Sequence, residues 1–397
     1  MRLRQTSSTP AREASHVGPT RSDDGGETAD RSTDDSDGTP LTPPSTASPG
    51  SRPGVLPGAA VPVVSIALAL ALPVAIVVAT GIGAVGIPTD EVWEVVSTRL
   101  VGGSPDVAPE VEQIIWTIRL PRVLLAAIVG AGLALAGLCL QAVVRNPLAD
   151  PYILGAASGA SAAAVAVIVL GSSAVFGLGL STAAFFGALG SLLLTLALGQ
   201  RAGQVSSTRL ILAGVAVGYV FSAVTSFLQL QAEPNQLRGV IFWLLGSFAS
   251  AEWPDLVIPA AALVVVGGLL TVQGPKMNAL VMGDDTAASL GIRVGRYRVW
   301  LLILASLVTG ACISVAGGIG FVGLMIPHAA RLAVGPDHRR LLPVAVLGGA
   351  VFLVFVDVVA RRVAAPAELP IGIFTAAIGG PAFLAIMSRN NTWASGR

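Results

Sequence analysis

Apolar positions in this chain fall in long unbroken runs rather than in the one-sided stripe of a soluble helix. The runs lie at about 60–82, 118–143, 152–171, 180–199, 207–230 and 255–272, then at 299–317, 319–334, 341–361 and 371–388. Most match the roughly twenty residues a helix needs to cross a hydrocarbon core of about 30 Å. The run at 319–334 is short and interrupted by Pro327 and His328; counting it gives ten crossings. The pattern predicts an all-α, polytopic membrane protein with about ten transmembrane helices. A membrane β-barrel would need segments of about ten residues alternating in polarity, and these are absent. Small residues recur within the runs, as in "GAGLALAG" and "GAASGASAAA", which suits close helix packing in lipid.

Polar stretches divide the chain further. Residues 1–57 are dominated by Ser, Thr, Asp, Gly and Pro without any apolar period. Such a stretch cannot bury enough surface to offset its chain entropy, so a disordered cytoplasmic tail is expected. It is too polar, and too long before its first apolar run, to read as a signal peptide. The transmembrane domain then occupies 58–390, and 391–397 form a short C-terminal tail. The longest link between runs, about 273–298, contains "MGDDTAASLGI". Acids at its start and glycines at both ends suit a short capped helix. An ordinary solvated loop or a docking element for a cytoplasmic partner would both fit.

Basic residues orient the chain. With the N-terminus inside and ten crossings, twelve Lys and Arg beyond the N-terminal tail fall inside and six outside, and both termini are cytoplasmic. Most acids beyond the N-terminal tail fall outside. The outer set includes Arg119 and Arg122 in "RLPR", and Arg361 and Arg362 in "DVVARR". On residues alone, Arg119 and Arg122 fit either interfacial snorkelling or external docking.

Composition narrows the chemistry. Apolar residues make up 53% of the 397 and charged residues 12%, far below the quarter typical of soluble domains. A net charge of +1 gives no reason to expect a nucleic-acid partner. Cys139 and Cys312 lie inside apolar runs and read as small core residues. The single lysine, Lys276 in "QGPKMN", has no phosphate-cradle context. His328 and His338, beside arginines at the inner edge, read as interfacial and not as metal ligands. No enzyme motif is present, and no cofactor is expected on this chain. An ion-coupled carrier would need a titratable group deep in a run. Asp357 is the one candidate, and its i, i+4 spacing to Arg361 reads as a helix-end pair near the interface.

Four stretches carry a resemblance: "RLPRVLLA…QAVVRNPLADPYILG", "MGDDTAASLGI", "GGIGFVGLMIPHAARLAVGPDHRRLLP" and "AELPIGIFTAAIGGPAFL". In their order and spacing they resemble the FecCD-type permeases, the membrane subunits of ABC importers for iron–siderophore complexes, haem and cobalamin. The resemblance spans roughly 60–390. It implies the type II ABC importer permease fold and a second permease subunit, identical or related. It also implies two cytoplasmic ATP-binding subunits that carry ATP and magnesium, and an extracytoplasmic binding protein that delivers a metal chelate. The stretch Met282, Gly283, Asp284, Asp285, Thr286, Ala287, Ala288, Ser289, Leu290, Gly291 and Ile292 would seat on the ATPase and transmit its motion. Arg119, Arg122 and Arg361 would meet acidic residues of the binding protein, and Arg362 stays unassigned. Iron(III)–siderophore is the expected cargo, with haem and cobalamin open.

Overall fold

The computed structural model describes residues 60–201, 204–365 and 367–389. The tails expected at 1–57 and 391–397 lie outside the described residues. The chain divides into Met1–Gly50 and Ser51–Arg397, and everything below concerns the second unit.

Helices follow the apolar runs. In chain order they are α1 (Ala60–Gly81), α2 (Thr89–Val101), α3 (Pro109–Gln113), α4 (Leu120–Val144), α5 (Ala156–Leu170), α6 (Leu180–Gly199) and α7 (Ser207–Leu230). Then come α8 (Pro234–Leu245), α9 (Val257–Met282), α10 (Asp284–Ser289), α11 (Val294–Ala316), α12 (Val322–Val334), α13 (His338–Val363) and α14 (Ile371–Arg389). Among the described residues the one strand pairing joins Gln200–Arg201 to Gln204–Val205. Seven helical spans are long and apolar enough to cross a membrane, and α5, α12 and α14 are shorter apolar helices. The protein is therefore all-α and polytopic, with ten apolar helices among the described residues.

The largest boundary difference concerns the link expected at 273–298. Helix α9 continues past 272, through Pro275, to Met282, and α11 already begins at Val294. The polar residues after 272 ended the apolar run without ending the helix, so only the short α10 and its flanking turns separate the two. Four helices lie outside the apolar runs, the short or amphipathic α2, α3, α8 and α10. In α8, Glu233 at the N-cap and Gln236 at N3 form a capping box around Pro234 at the first position.

Helix α4 is the central element. Its span, Pro109–Val144, has 89% of its most apolar window buried, against 6% for α1. It packs on α13, α11, α12 and α9. Two glycines allow this crowding: a Cβ on Gly130 would strike the Gly349 carbonyl of α13, and one on Gly137 the Gly323 carbonyl of α12. Without a hydrophobic drive between helices in lipid, such backbone-to-backbone contact supplies the packing.

Candidate functional site

Charged side chains gather at both ends of α4. At its start, residues Ile114–Arg119 form a π-helical turn before Pro121. Proline lacks the amide that would close an α-turn there, so the widened turn fits the local chemistry. The turn directs Arg119 toward the end of α1. Its guanidinium donates to the carbonyls of Thr80 (3.1 Å), Gly81 (3.0 Å) and Val85. Arg361, from the end of α13, donates to the carbonyls of Ala79 (2.9 Å) and Ile82. Together the two arginines cap the C-terminus of α1, whose last carbonyls have no helical partner and carry the negative end of its dipole.

Between them lies an ionic cluster. Asp357 is fully buried. It accepts from Arg122 Nε at 2.8 Å through Oδ1 and pairs with Arg361 Nε at 3.0 Å through Oδ2. Glu368 accepts from Arg122 Nη1 through both oxygens at 2.8 Å. Three guanidiniums thus face two carboxylates, leaving an excess of positive charge. Arg119, Arg122 and Arg361 are only 8, 6 and 7% exposed, whereas the Glu368 side chain is 38% exposed. A cleft of about 260 Å³ opens beside them, lined also by Ile118 and Ala365.

The Asp357–Arg361 pair forms near the end of α13, and it is also buried in the bundle and shared with Arg122. The three arginines are likewise turned inward onto carbonyls and carboxylates, because the bundle offers partners that a linear sequence does not display. Arg362, unassigned from sequence, lies 3.5 Å from the Gly83 carbonyl.

At the opposite end, about 35 Å along a helix of this length, α4 stops at Arg145. This residue adopts the left-handed conformation with φ 53°. Its Nη1 lies 3.4 Å from Asp284 Oδ1, and Arg298 Nη2 on α11 donates to the same oxygen at 2.8 Å. Asp284 opens α10 after Gly283 (φ 134°), and Gly291 (φ 79°) follows it. Ala287 is buried against the bundle, while Met282 and Leu290 are exposed apolar side chains. The residues Met282–Ile292 therefore form a short knob, tied inward on one face, with Met282 and Leu290 exposed beside Asp285 and Ser289 on the other.

Neighbouring contacts tie the same end together. Asn278 donates to Asp337 at 2.7 Å and accepts from the His338 amide, linking α9 to α13. Asp337 is held below the usual carboxylate range: burial opposes this, but the Asn278 amide, the Arg339 backbone N–H and the charges of Arg339 and Arg340 outweigh it. His338 is buried at the start of α13 with Nδ1 2.7 Å from Asn278, so it helps join α9 to α13. In the turn after α4, burial pushes Asp150 up to about 6 even though it accepts from the Tyr152 amide. Among the described residues no three His, Cys, Asp or Glu side chains cluster to hold a metal.

Sequence reading passed over Glu368, Arg145 and Arg298. Glu368 lies in "AELP" and Arg145 in "VVRNPLADP", both quoted for the resemblance, so position within those motifs was the available signal. Arg298 was counted only as an inner charge.

Fold and charge placement define a multi-pass helical permease, with a buried arginine cluster at one end of its central helix and an exposed helical knob at the other. A sequence model of the FecCD transport family matches residues 71–389, and the chain belongs to that family of ABC transporter permeases. It is 44% identical, over 76% of its length and 80% of the relative's, to the cobalamin import system permease protein BtuC of Halobacterium salinarum. It is 40% identical to the hemin transport system permease protein HmuU of Yersinia pestis, over 71% of this chain and 85% of that one. A solved metal-chelate type ABC transporter in an inward-facing conformation superposes with a TM-score of 0.72 at 33% identity, covering 83% of this chain and 99% of that one.

Proposed function

We propose that this chain is the membrane subunit of an ATP-driven importer for a metal chelate handed over by an external binding protein. The observation that carries the reading is the exposed knob Met282–Ile292, at the end of α4 opposite the arginine cluster, in a FecCD permease. Two ATP-binding subunits would seat on Met282, Leu290 and their neighbours at the cytoplasmic face, holding the ATP and magnesium. A second permease subunit, identical or related, would complete the pathway. Residues 58–390 would form the permease domain, with both tails in the cytoplasm. The arginine cluster would face outward. There its excess positive charge and open cleft would attract an acidic side chain of the binding protein, which could displace Glu368 from Arg122. Such charges set orientation and encounter rate more than affinity.

For cargo, the relatives named above carry cobalamin and hemin in their names, which favours a metal tetrapyrrole, cobalamin first, over the siderophore expected from sequence. An ion-coupled carrier has less support, because Asp357, its one candidate group, is clamped by two guanidiniums.

The test is uptake into vesicles holding the permease with its ATPase subunits and binding protein, with ATP as the sole energy source. Cyanocobalamin should accumulate only with ATP. Uptake driven by an ion gradient without nucleotide would reject the importer, and accumulation of a ferric siderophore but of neither tetrapyrrole would reject the cargo. In the same vesicles Arg122→Gln should weaken binding-protein association more at low salt than at high salt. Unchanged association would remove the docking role.

A further inference from the structure

Asp284 is held between two elements that it does not belong to. One oxygen, Oδ1, serves both Arg145 at the end of α4 and Arg298 on α11. Arg298 is buried, but the Arg145 and Asp284 side chains are 39% and 44% exposed, and an ion pair this open contributes little to stability. Stability alone therefore gives a weak reason for the Arg145 arm.

Arg145 supplies an independent reason. Its positive φ ends α4 in a left-handed turn, where its amide bonds the Gln141 carbonyl. Glycine takes this turn without penalty, whereas a residue with a Cβ is strained there. Strained positions persist where the surrounding structure holds them, and here the Arg145 side chain reaches Asp284.

Helix α4 is also the element best placed to carry a displacement. It is buried along its length, it packs on α9, α11, α12 and α13, and its far end holds Arg119 and Arg122. Apart from this ion pair, α10 rests mainly on α9 and α11, its own chain neighbours.

We propose that Asp284, clamped by Arg145 and Arg298, is a strut. Through it, displacement of the knob is delivered to α4 and α11, and along α4 to the Arg119–Arg122 end. The inference rests on the reading of Met282–Ile292 as the ATPase seat. Asp284 is a positioning residue: it carries force between elements and touches no cargo.

The test uses the assembled transporter with its ATPase subunits and needs no cargo. A reporter, Ile118→Cys, stands in the cleft at the far end of α4; Ile118 is exposed, while native Cys139 and Cys312 are fully buried. The maleimide labelling rate is measured with and without ATP and vanadate. In the otherwise unaltered chain, nucleotide should change that rate. In Asp284→Asn and in Arg145→Gly the change should shrink about two- to thirtyfold, and Asp284→Glu should restore most of it. Arg145→Gly should lose no thermal stability, because glycine relieves the turn, so a loss of response there reports the side chain and not misfolding.

A full nucleotide response in both variants overturns the strut, as does the absence of any response in the unaltered chain. Loss of ATPase co-purification in Asp284→Asn also overturns it, since Asp284 would then be a docking contact. Leu290→Asp tests the underlying seat separately. If it leaves co-purification and response intact, the seat assignment fails and the strut with it. If it abolishes co-purification while Asp284→Asn and Arg145→Gly respond fully, only the strut fails.

Discussion

Asp357 shows how much one buried carboxylate can organise. It neutralises Arg122 and Arg361, which in turn hold Glu368 and the end of α1. Removing one member of a buried pair leaves an uncompensated charge, at a cost of about 3–5 kcal/mol. Asp357→Ala should therefore lower the thermal midpoint of the detergent-solubilised protein sharply. Glu368→Ala should cost less than Asp357→Ala, because Glu368 is partly open to water and Arg122 keeps Asp357 as its partner. Equal effects from the two substitutions would contradict the burial-based distinction. In sequence Asp357 already stood apart as the one acid inside an apolar run, whereas Glu368 was one outer acid among many. Only their depth in the bundle separates a structural carboxylate from one that a docking partner could displace.

Among the elements, α4 depends on close backbone contact with α12 and α13. Gly137→Ala forces a methyl group onto the Gly323 carbonyl, and a backbone atom cannot swing aside as a side chain can. Such overpacking costs roughly 1–3 kcal/mol. Gly190→Ala on α6 meets nothing within 4 Å and should be neutral or mildly stabilising, because alanine restricts the unfolded chain. Thermal midpoints of the two variants, compared side by side, check this; a tolerant Gly137 would mean that α4 and α12 separate easily. Small residues along α4 were visible in sequence, but which glycine touches which helix was not. The end of α9 was also misread, because polar residues after 272 break an apolar run without breaking hydrogen bonds from one turn to the next.

For the whole molecule, the arrangement requires the two ends of α4 to face opposite compartments. On the proposed orientation, which follows the positive-inside bias, the Asp284 end would face the cytoplasm. In right-side-out cells, an impermeant maleimide should label Val101→Cys and spare Leu290→Cys until the membrane is permeabilised. Val101 and Leu290 are both exposed and the two native cysteines are buried, so the signal is clean. Labelling of Leu290→Cys in intact cells would invert the topology and remove the ATPase seat.

Sequence by itself determined the helical membrane class, the approximate position of ten apolar helices and the family. Run length against bilayer thickness, and four long motifs in order, are local properties that need no three-dimensional information. It also marked the knob at Met282–Ile292, since its acids and glycines are punctuation that a short helix obeys. Tertiary structure alone decided where the charges go. Arg119 and Arg361 cap α1 from different helices, Asp357 bridges Arg122 on another, and Asp284 joins Arg145 and Arg298 across the bundle. These partners are far apart along the chain or belong to separate helices. A guanidinium in a low-dielectric bundle takes the nearest carbonyl or carboxylate in space, and that neighbour is fixed by how the helices pack.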